Sequence, residues 1–131
     1  MAGESKSHLT VRIYYEDTDC GGVVYYANYL RYLERARTEH LRERGIELGP
    51  WAEKGLYFVV TRVEIDYKSP ACYSDLLNIE TFVRDVSKAS LTFSHTVRNQ
   101  NSRLTAESIV VLACVSNGRP RRIPEEIVSA I

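Results

Sequence analysis

Leu9, Val11, Ile13 and Tyr15 alternate with Thr10, Arg12, Tyr14 and Glu16, the period-two signature of a half-buried strand that ends among acids. From Tyr26 the period lengthens. Tyr26, Tyr29, Leu30, Leu33, Ala36 and Leu41 recur every three or four residues, which predicts one amphipathic helix stopped by Gly45. A further helical turn is expected around Pro50 to Lys54. Beyond Gly55 the period returns to two. Tyr57, Val59, Thr61, Val63, Ile65 and Tyr67 predict one strand; Leu77, Ile79, Thr81 and Val83 a second; Leu91, Phe93, His95 and Val97 a third. Leu104 to Ser116 is apolar on both faces through Ile109, Val110, Val111, Leu112 and Ala113, so this strand is expected in the middle of the sheet or beneath another subunit. Turns are expected at Ser69-Pro70, Ser87-Lys88 and Asn99 to Ser102. Pro124, followed by Glu125 and Glu126, reads as the first turn of a terminal helix. Strand, helix, then four strands is an α+β order: an antiparallel sheet of about five strands wrapped on one long helix.

A chain of 131 residues suits one domain, 1–131, with residues 1–7 expected to be flexible. Seventeen basic and seventeen acidic residues cancel, which gives no reason to expect a nucleic-acid or anionic-membrane partner. Cys20, Cys72 and Cys114 are odd in number and never form a CxxC pair, so neither a disulfide framework nor a structural zinc is expected. A reducing, cytoplasmic setting fits them best. With its polar N-terminus no leader is expected, and no apolar run approaches the roughly 18 to 20 residues of a transmembrane segment.

The chemistry concentrates in Glu16-Asp17-Thr18-Asp19-Cys20-Gly21-Gly22, between the first strand and the helix. An isolated DxD is most often an exposed turn with its own internal hydrogen bonds. A helix-loop-helix calcium loop would use Asp17, Asp19 and Gly22, but Gly21 occupies its fifth position and Asn28 the twelfth, where a bidentate Glu is required. An aspartyl-nucleophile phosphatase needs a parallel sheet that this element order does not supply. What remains is a carboxylate beside a glycine-rich approach to a helix N-terminus, where free backbone N–H groups favour an oxyanion. The carboxylate acts there as a nucleophile or as a base for water, which implies acyl transfer or hydrolysis. No GxSxG is present. A thioester accounts for that, because a thiol of pKa about 8.5 leaves as thiolate with little protonation.

The stretch Tyr14 to Leu41, YYEDTDCGGVVYYANYLRYLERARTEHL, resembles the signature of the hotdog-fold acyl-CoA thioesterases of the 4-hydroxybenzoyl-CoA thioesterase family, especially their Tol-Pal-associated YbgC-like branch. The motif is nearly continuous over more than twenty positions, and the element order extends the resemblance over essentially the whole chain. The resemblance implies a curved sheet around one helix, homodimers joined edge to edge, often dimers of dimers forming a homotetramer, and active sites at the subunit interface. It assigns the essential carboxylate to Asp19 and the N–H that polarises the thioester carbonyl to Tyr26, with Gly22 small for close approach and Asp17 a structural acid. The branch commonly has His where this chain has Tyr26. A backbone donor is indifferent to that exchange, whereas substrate preference is not.

Tyr25, Tyr29 and Tyr32 are candidates for an acyl pocket, although tyrosines on a central helix more often pack with their hydroxyls satisfied, and at most one is expected to serve. The loop Lys88-Ala89-Ser90 falls where the family's backbone meets pantetheine. Lys68, Arg119, Arg121 and Arg122 are either solvated charges or a grip on coenzyme A phosphates. Cys20 lacks a partnered base, and His95 reads as a hydrogen-bonded core residue. The expectation is an acyl-CoA thioesterase with catalytic Asp19 and Tyr26, with Gly22, Tyr25, Tyr29, Lys68 and Ser90 binding substrate. No metal or cofactor is expected apart from the substrate's coenzyme A. A non-catalytic module binding acyl-CoA or acyl carrier protein is the competing reading.

Overall fold

The computed structural model describes residues 5–131. Strand β1 (Ser7–Arg12) leads through a 3-10 turn at Tyr15–Asp17 to helix α1 (Asn28–Arg42) and a short α2 (Leu48–Glu53). Four long strands follow, β2 (Leu56–Tyr67), β3 (Leu76–Val86), β4 (Ser90–Arg98) and β5 (Leu104–Ser116), then β6 (Arg119–Pro120) and helix α3 (Glu125–Ala130). All neighbours pair antiparallel in the order β1-β3-β4-β5-β2, with β6 on β5. One long helix against a five-strand antiparallel sheet is the α+β arrangement the pattern predicts.

The buried stripe of α1 carries Tyr29, Tyr32, Leu33, Ala36, Arg37, His40 and Leu41. It meets Leu77, Ile79 and Val83 of β3, Leu91, Phe93 and Val97 of β4, and Ala106 and Val110 of β5. Each fully buried Leu, Ile or Phe there contributes about 1.5–3 kcal/mol. α1 ends as Gly45 predicts: at φ +80 it lets its own N–H reach the Arg42 carbonyl at 3.0 Å and the Ile46 N–H reach the Leu41 carbonyl at 2.9 Å. α2 forms at the expected turn, and α3 starts directly after Pro124.

Four local readings change. The flexible tail expected over residues 1–7 is overturned at Ser7, which opens β1 with its side chain buried against the His40 ring at 2.7 Å; residues 1–4 of that tail lie outside the described residues. The first strand ends at Arg12, because the Ile13 N–H turns to the Asp75 carbonyl and the chain enters the acidic turn. In β2 the apolar positions do not share one face. A bulge between Val60 and Arg62 exchanges the faces, so Phe58 packs on the core before it and Ile65 after it, while Val63 stays exposed. β6 has an overlooked sequence signal, Asn117-Gly118, whose φ values of 53 and 73 fit a two-residue hairpin turn pairing Ser116 with Arg119. β5 lies inside the sheet between β4 and β2, which explains its two apolar faces.

Candidate active site

The acidic turn is built by its own hydrogen bonds. Asp17 Oδ2 accepts the Tyr14 N–H at 2.8 Å, while the Asp17 carbonyl accepts the Tyr25 N–H at 2.9 Å and Asn28 Nδ2 at 3.0 Å. Asp17 therefore ties the end of the strand to the start of α1, the structural part expected of it. Between these ties the chain makes a tight hairpin. Thr18 bridges Val24, the Asp19 N–H donates to the Val23 carbonyl at 2.9 Å, and the Gly22 N–H closes on the Asp19 carbonyl at 3.0 Å. Val23 in turn bridges Cys72, which fastens the hairpin to the segment after β2.

This geometry divides the work of the two glycines. Asp19 Oδ1 accepts the Gly21 N–H at 2.8 Å, and a Cβ on Gly21 would stand 3.2 Å from that oxygen. Gly21 is thus the glycine that stands against the Asp19 carboxylate. Gly22 is required for its φ of +81, with nothing within 4 Å of where its Cβ would be.

Asp19 borders a cleft of about 380 Å³ whose walls include Val24, Tyr26, Tyr29, Tyr67, Lys68 and Ala71. That volume is within the usual range for small-molecule sites. Tyr26 precedes α1, which begins at Asn28 rather than at Tyr26 as the periodicity suggested, because a lead-in turn comes first: the Asn28 N–H bonds the Tyr25 carbonyl and the Tyr29 N–H the Tyr26 carbonyl. Among the described residues no acceptor lies within hydrogen-bond reach of the Tyr26 or Ala27 N–H. Tyr67 fixes the position of this turn. Its hydroxyl donates to the Tyr26 carbonyl at 2.9 Å, and its ring stands edge-on to those of Tyr26 and Tyr29.

Tyr29 is the one tyrosine of the three candidates that lines the cleft. The expectation of satisfied hydroxyls is not met among the described residues, where those of Tyr29 and Tyr32 are buried without a hydrogen-bond partner. Burial raises the pKa of both, reinforced at Tyr32 by the nearby Asp17 carboxylate. Tyr25 and Gly22 stay outside the cleft on the exposed side of the hairpin. Ser90 is farther away. It pairs with Ala113 on β5, whereas the cleft residue Tyr67 faces Ala106, seven positions or about 23 Å along the same strand. Arg119, Arg121 and Arg122 lie at that distant end too, exposed beside Ser116. Within one chain, then, Asp19, Tyr26, Tyr29 and Lys68 come together, and Gly22, Tyr25 and Ser90 do not.

His95 is buried in the core, with Nδ1 2.9 Å from Thr81 Oγ1, and burial followed by the Arg37 cation pushes its pKa down to about 3. Cys20 is exposed in the hairpin. Among the described residues no cluster of three His, Cys, Asp or Glu could hold a metal ion, and no helix is long and apolar enough to cross a membrane. Sequence reading missed Tyr67. Its signal was available, an aromatic residue closing β2 immediately before the Ser69-Pro70 turn.

The family model for the thioesterase-like superfamily matches residues 13–131. An acyl-CoA thioesterase YbgC from Haemophilus influenzae is 42% identical over 123 residues, 92% of this chain and 90% of that protein. An acyl-CoA thioester hydrolase YbgC from Escherichia coli O157:H7 is 39% identical over 121 residues, with 91% and 90% covered. The structure of 4-hydroxybenzoyl CoA thioesterase from Pseudomonas sp. strain CBS-3 superposes with a TM-score of 0.88 over 96% of this chain and 99% of that one, and at 22% identity it attests the shared fold. By fold and by sequence the chain belongs to the thioesterase-like superfamily and is a hotdog-fold thioester hydrolase.

Proposed function

We propose that this protein hydrolyses acyl-CoA thioesters to the free acid and coenzyme A, with Asp19 and the Tyr26 N–H as the reacting pair. The observation that carries the reading is that the Asp19 carboxylate borders the same cleft as Tyr26, whose N–H has no acceptor among the described residues. The substrate carbonyl oxygen accepts from that N–H while Asp19, or a water deprotonated by it, adds to the carbonyl carbon. Collapse of the tetrahedral intermediate breaks the C–S bond and releases the thiolate. If Asp19 itself adds, water then hydrolyses the resulting anhydride. One well-placed donor stabilises such an oxyanion by about 3–4 kcal/mol. The thiolate leaves without a strong acid, which is consistent with the neutral, buried state of His95 and His40.

Tyr29 bounds the acyl side of the cleft and Lys68 supplies a cation at its edge. Gly22 and Tyr25 act on this reading at the rim of the hairpin. Ser90 and Arg119, Arg121 and Arg122 are too distant to serve their own chain's cleft and act on that of a second copy, Ser90 at pantetheine and the arginines at the coenzyme A phosphates. The edge strand β2, with exposed Tyr57, Val59, Val60 and Val63, is the natural seam for a homodimer or a dimer of dimers. The chemistry draws on no cofactor besides the coenzyme A of the substrate, and it suits a cytoplasmic protein handling acyl groups carried by coenzyme A or acyl carrier protein.

The test is thiol release across a panel of acyl-CoAs and acyl carrier protein thioesters, from short aliphatic through aromatic to long-chain. Release above the uncatalysed rate with at least one acyl group is expected. Measurable binding with no release from any of them would replace this reading with the non-catalytic binding module.

A further inference from the structure

Among the described residues Arg37 is a cation without a counter-charge. Its side chain points from the middle of α1 into the protein and the residue is 7% exposed. Among the described residues its one polar contact is the His95 Nε2, 3.4 Å away, and no carboxylate lies within salt-bridge distance. A neutral imidazole leaves most of the five guanidinium donors idle and balances none of the charge. Burial accordingly lowers the Arg37 pKa to about 10, with Glu34 partly opposing it. The Glu34 carboxylate, one turn earlier, instead accepts the Thr38 hydroxyl at 2.6 Å and remains exposed.

The surroundings say what the missing partner is. Arg37, Glu34 and Thr38 border a cavity of about 130 Å³ completed by the apolar side chains of Leu48, Phe58 and Val60. The cavity lies between α1 and β2, the strand whose outer edge pairs with nothing among the described residues. On the same helix and strand, Leu30, Val59, Val60 and Val63 are each between 39% and 49% exposed. A small anion would meet the guanidinium but leave this apolar rim in water. A second copy of the chain brings both an apolar strand for the rim and an acid for the cation.

We infer that Glu34 and Arg37 form a reciprocal ion-pair lock between two copies of this chain, Glu34 of each helix α1 meeting the other copy's guanidinium across a two-fold axis beside β2. A two-fold interface is self-complementary, so one acid and one base one turn apart on the same helix make two identical pairs. The inference rests on the self-association proposed above and adds to it the residues that select the partner and fix its register.

The test is a charge exchange read by analytical ultracentrifugation, with folding followed by circular dichroism. Wild type should be a dimer or a dimer of dimers. Glu34→Arg, which places like charges against each other, should self-associate about a hundredfold more weakly, as should Arg37→Glu. Mixing the two variants should restore association, because each mixed pair again joins opposite charges, whereas a pairing confined to one helix stays repulsive in both. Should Arg37→Glu fail to fold, Arg37→Gln replaces it in the mixture, where one correct pair is still formed. A monomeric wild type would overturn the self-association reading along with the lock. Glu34→Arg dimerising like wild type, or a mixture no tighter than its components, would overturn the lock alone.

Discussion

His40 and His95 flank Phe93, at ring-centroid distances of 5.8 and 6.3 Å, and both are 1% exposed. Lowering the pH should destabilise the protein through this pair. Burial pushes His40 down to about 4, with the Arg44 cation adding to it and Glu43 opposing. Burial pushes His95 down to about 3, followed by Arg37 and then His40. In the unfolded chain each titrates near 6.5, so below that pH the unfolded state binds the protons and stability falls with pH. The loss starts at 6.5 and continues to the folded values near 4 and 3. At pH 5 each histidine is about 1.5 units below its unfolded pKa, about 2 kcal/mol apiece and about 4 kcal/mol together. Against a total of about 5–15 kcal/mol that is a large share, and for 131 residues it lowers Tm by about 10–15 °C. Thermal melts between pH 8 and pH 5 measure it, with His40→Gln and His95→Asn as controls that should each remove about half of the slope. A wild-type Tm that stays flat over this range, or a slope unchanged in both variants, would refute the reasoning.

The two hairpin glycines should separate by assay. Gly21→Ala sets a methyl against Asp19 Oδ1 and should lower kcat with a stability change under about 1 kcal/mol, whereas Gly22→Ala, forced to keep φ +81, should lower stability by about 1–2 kcal/mol in urea unfolding. Identical behaviour in both assays would contradict this division. Tyr67→Phe removes the 2.9 Å bond to the Tyr26 carbonyl and should cost about 1 kcal/mol together with a lower kcat. Tyr29→Phe removes a buried hydroxyl that has no partner among the described residues and should leave the protein as stable or more stable by about 1 kcal/mol. A loss of stability in Tyr29→Phe would reveal a partner for that oxygen.

Periodicity was enough to place α1 and the inward residues of β3 and β4, since Leu77, Ile79, Thr81, Val83, Leu91, Phe93, His95 and Val97 are all buried as their alternation requires. It failed in β2 because the bulge at Val60/Arg62 carries no hydrophobic signature, and it failed at Ser7 because a small polar residue was buried through its bond to His40. Asp19 and the start of α1 were legible because acid, glycine and helix are contiguous in sequence. Tyr67 and Lys68, some forty residues later, reach the same cleft through contacts distant in sequence, the Val23–Cys72 bridge and the Val24–Ala71 bond, so a linear pattern could raise Lys68 as a candidate without placing it. Ser90 shows the limit from the other side, since the antiparallel ladder carries it to the end of the sheet away from its own chain's cleft and only a second copy would bring it to a site. Arg37 lies on the apolar stripe, four residues from both Leu33 and Leu41, but a lone arginine there reads as a solvated charge and only the fold shows it to be buried.

Replacement of Asp19 by Asn tests the central claim most directly, since it keeps the side chain's shape and leaves an oxygen to accept the Gly21 N–H while removing the attacking carboxylate. With the best acyl-CoA of the panel, kcat/KM should fall by about a thousandfold, corresponding to about 4 kcal/mol of transition-state stabilisation, with the circular dichroism melt and the binding of a non-hydrolysable thioether analogue unchanged. A variant that folds, binds the analogue and turns over within tenfold of wild type would remove Asp19, and the cleft built around it, from the mechanism.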